Sequence, residues 1–340
     1  MGCHNLIEPS PITQIQIKQT STVYKTYHQL LKAHSRTEAT TLVKDYCLNT
    51  SPKTFEDRLA YLEFLYMNDF YQEAESLLNT ETFTDEATAL YQILLDRKKS
   101  PLTYQQLRKL ESLEFQHPST QCLHFFTIVY GYYDLKRFTG LDKYMEDCFE
   151  SLNKVNEPLF HYFMKLRFEE LAFQHYWKTN NILLAKKHAY KYLNKVISPH
   201  QLCKMNHILA LCHVFDSFEY SFEYAQTALK IAKDYELESS INSIENHTIP
   251  FICAFHQRTE HITTADPIET AHLAIADRDF KKAQHILLPL KNPTPFQQTY
   301  LGVATNSKEM LISAHERFKH ENGDLFFANL PIHYLNRYLF

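Results

Sequence analysis

The chain has 340 residues, only 5 of them glycine, and a formal net charge of −4. So few glycines argue against phosphate-cradling loops, in which the backbone must approach the phosphate without a Cβ. The lysines and arginines are scattered, as at Lys186 and Lys187, Lys281 and Lys282, and Arg97 to Lys99. They read as solvated helix surface and form no basic face of the kind that neutralises nucleic-acid phosphates.

The start, MGCHNLIEPSPITQ, has neither the basic n-region nor the apolar run of a secretory signal, and Leu6 stands where myristoylation wants Ser or Thr. Residues 1–21 read as an extended arm: Pro9 and Pro11 disfavour a helix, and ITQIQIK at 12–18 alternates apolar and polar. Helices follow over Thr22–Ala33 and Thr37–Cys47, the second stopping near Pro52. Lys53–Tyr66 and Tyr71–Leu78 make the first clear hairpin. Glu86–Lys98 and Tyr104–Phe115 make the next, then Ser119–Leu135 and Leu141–Asn153 with Gly140 near the turn. Pro158 suits the first turn of a long helix to Lys178, which Ile182–Val196 completes as a pair. Ser198-Pro199 caps and opens a helix to Phe215. Glu219–Tyr235, Ser239–His256, Ile268–Ala276, Phe280–Leu288, Pro295–Ala304, Lys308–His320 and Leu325–Leu339 complete the array. Strand content is expected to be near nil. No run approaches the roughly 18 apolar residues that a membrane span needs.

One pattern recurs along this order. An apolar helical stretch ends in a polar Asp or Asn with an aromatic or aliphatic residue close behind, and an Ala-anchored helix follows. It is seen in YLEFLYMNDFYQEAESLL at 61–78, ELAFQHYWKTNNILLAKKHAYKYL at 170–193, ILALCHVFDSFEYSFEYAQTALKIA at 208–232 and AHLAIADRDFKKAQHILLPL at 271–290. The small Ala lets the second helix pack closely on the first. Ala185 and Ala225 stand about 40 residues apart, near the period of a tetratricopeptide-type repeat. The expected fold is all-α, a right-handed superhelical solenoid of TPR-like helical hairpins over residues 22–340 with a closing segment at 322–340. Such an array binds along its concave face. The 22 tyrosines and 24 phenylalanines fall mostly at helical spacing and read as seam packing.

Catalytic chemistry finds little support. The chain has no HExxH, GxSxG or P-loop, and neighbouring carboxylates such as Glu169 and Glu170 point to different helix faces. Seven dispersed cysteines (Cys3, Cys47, Cys122, Cys148, Cys203, Cys212 and Cys253), with no CxxC pair, read as buried thiols of a reduced, intracellular chain. His200, Cys203 and His207 share a helix face, with His213 further on. No tight knuckle from a second element accompanies them, so no metal is expected, nor any cofactor. The reading from residues alone is a binding protein, not an enzyme, whose ligand is a peptide or a partner protein.

Several segments sharpen this. LVKDYCLN at 42–49, FICAFHQRTEHI at 251–262, DFKKAQHILLPL at 279–290 and SAHERFKHENGDLFFANLPIHYLNRYLF at 313–340 resemble, in the right order, segments of the arbitrium receptors, the tetratricopeptide-type peptide sensors of Bacillus phages. The resemblance implies a peptide-responsive regulator of a phage lysis–lysogeny decision in the cytoplasm of a host bacterium, and a homodimer. In that family a helix-turn-helix precedes the solenoid. Residues 1–21 here hold two prolines and Lys18 as their one lysine or arginine, and fit no recognition helix. The expectation is therefore regulation through a protein target, without direct DNA binding. The alternative is a TPR-like protein–protein adaptor without peptide sensing.

The resemblance also implies site residues. His175, Thr179 and His213 fall where the family carries peptide-clamping asparagines, and Asn206 lies on the same helical stretch as Lys204. Leu202 falls near the family's carboxylate-binding arginine, so Lys204 is the nearest cation, a point charge without a guanidinium fork. Glu269 matches an acidic residue that accepts the peptide's amino terminus. The implied dimer interface is Leu325, Phe326, Phe327, Leu330, Ile332, Leu335, Tyr338 and Leu339, the alternative being a capping helix that folds back on the last hairpin. Burying even a modest apolar patch at about 25 cal/mol per Å² favours self-association.

Overall fold

The computed structural model describes residues 20–80, 83, 86–195 and 198–338. Residues 1–19 of the arm expected over 1–21, with Cys3 among them, the end of a helix at Val196 and the interface residue Leu339 lie outside the described residues. Among the described residues every regular element is helical, and no helix is long and apolar enough to cross a membrane. The chain divides into two compact units. One holds the chain to Leu135 together with Thr139–Leu171, the other Lys136–Phe138 and Ala172–Phe340.

The first unit stacks α1 (Thr22–Leu30), α2 (Arg36–Asn49), α3 (Phe55–Met67), α4 (Tyr71–Leu78), α5 (Glu86–Lys99), α6 (Tyr104–Glu111), α7 (Pro118–Asp134), α8 (Gly140–Lys154) and the larger part of α9 (Pro158–Lys178). Its start is fixed by carboxylates. Glu157 accepts from the backbone and hydroxyl of Ser21 and from the Phe160 N–H, while Asp57 accepts from the Thr22 N–H. Buried at its centre, Arg167 donates a fork to Glu63, which also accepts from the Tyr91 hydroxyl. Arg97 corrects the sequence reading of it as solvated. Its guanidinium is mostly buried, makes a two-bonded pair with Asp134 at 2.7 Å, and lies 4.7 Å from the centre of the Tyr130 ring. A planar fork with an aromatic face to rest on tolerates burial better than an ammonium does.

The second unit continues with α10 (Ile182–Leu193), α11 (Pro199–Cys212), α12 (Phe218–Asp234) and α13 (Glu238–Ser243). A π-helical turn, Ile244–Thr248, leads into α14 (Ile249–Phe255). α15 (Pro267–Ala276), α16 (Phe280–Leu287), α17 (Pro295–Ala304), α18 (Lys308–His320) and α19 (Asn329–Tyr338) follow. The expected start of α11 is present: Ser198 accepts from the Gln201 N–H and Pro199 opens the helix. The anchoring alanines Ala74, Ala185, Ala225 and Ala283 have no exposed surface.

The single helix expected over Ser239–His256 is broken, and Pro250 is the reason. Proline has no N–H to give the Asn246 carbonyl and its ring crowds that carbonyl. The helix widens to a π turn there, with the Ile249 N–H reaching Ile244. The freed Asn246 carbonyl accepts from the Thr264 hydroxyl at 2.6 Å, and the Asn246 side chain accepts from the Ala265 N–H.

The polar residues that punctuate the repeats have a backbone role. Asp69, Asn180, Glu236, Gln257, Arg278 and Asn306 take φ between 55° and 67°, at turns after α3, α9, α12, α14, α15 and α17. The next N–H in each case returns 2.7–2.9 Å to the carbonyl five residues back, as Leu237 does to Ala232. This is the Schellman closure of a helix, normally served by glycine. In a chain this poor in glycine it is served by side chains that tolerate the left-handed region less well. Glu236→Gly relieves about 1–2 kcal/mol of left-handed strain against about 0.5–1 kcal/mol of added chain entropy. A rise of about 2 °C in the calorimetric midpoint is expected. An unchanged or lower midpoint counts against strain at that turn.

The closing segment differs from the expected helix Leu325–Leu339. Residues 325–328 form turns, and α19 begins at Asn329. The Leu325 N–H donates to the Lys178 carbonyl at 2.8 Å. Lys178 pairs with Asp324, whose other oxygen accepts from the Phe327 N–H. Those bonds hold the chain in turns where helical periodicity alone suggested helix. Gly323, at φ +58°, is needed here, because a Cβ would sit 2.3 Å from the Lys136 carbonyl oxygen.

Candidate functional site

α12 lies close on α11 because the facing residues are small. The Ser221 hydroxyl donates to the Ala210 carbonyl at 2.6 Å, Cys203 reaches the Ala228 carbonyl, and Ala225, Ala228 and Ala232 are fully buried. That approach places Tyr220 and Tyr224, one turn apart on α12, against His213 at the end of α11. The His213 ring stacks on Tyr224 at 5.5 Å and tilts towards Tyr220 at 5.4 Å. From α10, Lys186 forms an ion pair with Asp216, and the Tyr224 hydroxyl donates to that of Tyr190.

His213 is only 6% exposed, yet neither ring nitrogen has a hydrogen-bond partner among the described residues. Burial, assisted by the nearby Lys186 charge, pushes its pKa down to about 4. The imidazole is thus neutral near pH 7, with one donor and one acceptor. Such a ring, held between two tyrosine rings, matches the alternating N–H and C=O of an extended peptide. A buried polar group left open costs stability unless something fills it.

The other residues anticipated from sequence are engaged within the fold. The His175 Nδ1–H donates to the Phe138 carbonyl at 2.8 Å, and the Thr179 hydroxyl donates to the His175 carbonyl near the end of α9. The Asn206 amide donates to Leu202 one turn back. Lys204 is exposed on α11. Glu269 accepts from His272 Nδ1 at 3.1 Å, and the far nitrogen of that ring accepts from the Tyr334 hydroxyl. His272 also stacks on Tyr300 at 4.0 Å. Glu269 thereby anchors a buried relay joining α15 to α19. Of the six, His213 is the one buried with both polar ring atoms open. Tyr220, Tyr224 and Lys186, which frame it, carry no sequence signal beyond an aromatic pair at helical spacing.

The histidine–cysteine stretch of α11 is likewise occupied. Cys203 points to Ala228 and His207 bonds the Thr248 hydroxyl. Among the described residues no group of three or more His, Cys, Asp or Glu is placed to hold a metal ion. Six cysteines, Cys47 to Cys253, are buried free thiols, and burial pushes Cys253 up to about 11 and Cys122 to about 12.

The apolar closing segment splits in two. Phe326, Phe327 and Leu330 are buried inside their own unit, Phe327 against the rings of Trp177, Phe251, Phe296 and Phe318. Leu325 is exposed, and Ile332, Leu335 and Tyr338 are half-buried.

A family model described as AimR transcriptional regulator-like matches residues 39–337. Two solved structures share the fold. phAimR with a ligand aligns at a TM-score of 0.73 and 15% identity, covering 93% of this chain and 96% of that one. Selenomethionine phAimR aligns at 0.71 and 16%, covering 91% and 84%. At such identities the likeness establishes the fold, an all-α array of TPR-like hairpins. No curated protein matches the sequence.

Proposed function

The chain belongs to the AimR transcriptional regulator-like family, and on that premise we propose that it is a peptide-responsive receptor of the arbitrium type. A short signalling peptide is its ligand, and His213 is the contact at the centre of the site. Lys204, exposed on α11, is the proposed contact of the peptide's carboxylate. The likeness to a phAimR chain solved with a ligand supports a receptor reading. The observation that carries it is the buried His213 imidazole, stacked on Tyr224 with both nitrogens unpartnered. The peptide acts by binding one conformation better than another, which shifts the affinity for a protein target. The target sets a phage lysis–lysogeny decision in the host cytoplasm. The net charge of −4 favours a protein target over nucleic acid. Self-association uses Leu325, Ile332, Leu335 and Tyr338, which keep exposed surface.

Calorimetric titration with the short peptides encoded beside the gene tests this. Micromolar or tighter binding is expected, weakened about tenfold by His213→Phe, because about 1.4 kcal/mol of hydrogen bonding is lost while the aromatic stack remains. Without peptide the same variant is expected to be at least as stable as the natural chain, since two unpartnered nitrogens disappear. The imidazole does not titrate between pH 6 and 8, so its contribution to affinity is flat there. If none of these peptides binds, and light scattering still shows a stable dimer, the receptor reading falls and a constitutive adaptor remains.

A further inference from the structure

A cavity of about 320 Å³ lies at the far end of the second unit, lined by Arg278, Asn306, Arg337 and Tyr338 with Phe280 and Val303 as apolar wall. Its position follows from the turns. Arg278 and Asn306 are the left-handed residues that close α15 and α17, and α19 adds Arg337 and Tyr338.

No acceptor among the described residues pairs with the Arg278 guanidinium. Its sequence neighbours are engaged elsewhere: Asp277 accepts from the Thr259 hydroxyl, and Asp279 accepts from the Lys282 N–H at the start of α16. Arg337 gives Nη1 to the Phe255 carbonyl and rests on the Phe255 ring. Its other N–H groups make no hydrogen bond among the described residues. The Tyr338 oxygen accepts from the Gln257 amide, which leaves its own hydrogen to donate. Two arginines, a tyrosine and an asparagine thus line one space, and Phe280 meets Tyr338 edge-on beside it. Guanidinium forks match the paired oxygens of carboxylate and phosphate. The volume lies at the small end of ligand cavities, which run from about 300 Å³ upwards.

We propose that this cavity is a second ligand site, for a small organic anion whose carboxylate or phosphate is gripped by Arg278 and Arg337 and whose apolar body lies on Phe280 and Val303. It is separate from the His213 site and does not depend on the peptide reading. Because Arg337 and Tyr338 belong to α19, the ligand clamps that helix to the turns after α15 and α17.

The test is calorimetric titration of the full chain with phenyl phosphate, phenylacetate, inorganic phosphate and benzylamine. The two aromatic anions are expected to bind, inorganic phosphate more weakly, and benzylamine not at all. Whichever aromatic anion binds tighter identifies the head group. Arg278→Gln is expected to weaken the aromatic anions at least tenfold. The side chain is exposed, and glutamine already holds the same backbone conformation at Gln257, so the variant should fold, with circular dichroism as the check. Asn306→Asp, which sets a negative charge in the cavity wall, is expected to abolish binding. The proposal is overturned if neither aromatic anion binds at millimolar concentration, if benzylamine binds as well as they do, or if both variants bind the anions as the natural chain does.

Discussion

Arg167→Met is expected to destabilise the first unit by about 3–5 kcal/mol, measured as a lowered urea midpoint of that unit's unfolding transition. Glu63 has no exposed surface, and the Arg167 side chain almost none. Their bonds are 2.8 and 3.0 Å, and the guanidinium lies 4.6 Å from the centre of the Tyr66 ring. Removing the arginine leaves a buried carboxylate with the Tyr91 hydroxyl as its one remaining donor among the described residues. The double variant Glu63→Leu with Arg167→Met is expected to recover most of the loss, because no charge is then buried. It does not recover all of it, since Tyr91 loses its short-range acceptor. A single variant costing under about 1 kcal/mol would show that water reaches the pair.

Phe327→Ala is expected to cost the second unit about 3–5 kcal/mol, the usual range for a phenylalanine deleted from a packed core. The ring meets Trp177, Phe251, Phe296 and Phe318 at 5.0–6.5 Å between centroids. Those residues come from α9, α14, α17 and α18, so the cavity left behind is lined by elements that cannot collapse together. If this segment instead served mainly as a dimer surface, the variant would weaken self-association and leave the monomer's thermal midpoint nearly unchanged. Differential scanning calorimetry at two protein concentrations separates the two outcomes.

The hairpins could be read from sequence because apolar spacing, proline and serine caps and buried alanines all act locally. Pro158, Ser198 and Ala225 each declare their role within one or two turns. The π turn was missed although Pro250 signals it, because the apolar residues on either side keep helical spacing through it. Arg97 reads as solvated helix surface and nothing in the sequence singles out Arg167, since the carboxylates that receive them lie 37 and 104 positions away. Composition marks Phe326 and Phe327 as apolar but cannot say whether the surface covering them belongs to the same chain. At the candidate site, His213 was reachable by alignment to a family pattern. The open state of its nitrogens is a property of packing, set by which neighbours fail to arrive.

The return of the closing segment to the end of α9 bears on how the second unit folds. An open stack of repeats meets only nearest neighbours, so it nucleates locally and frays from its ends. Here Lys178 and Asp324 join positions 146 residues apart, closing a loop whose entropy must be overcome before its contacts form. Long-range closure of this kind slows folding and couples the last helix to the earliest one. The unit should therefore lose its structure in one transition, with hydrogen exchange at α19 as slow as at α11. A truncation before Gly323 should loosen the whole unit rather than shorten it by a repeat.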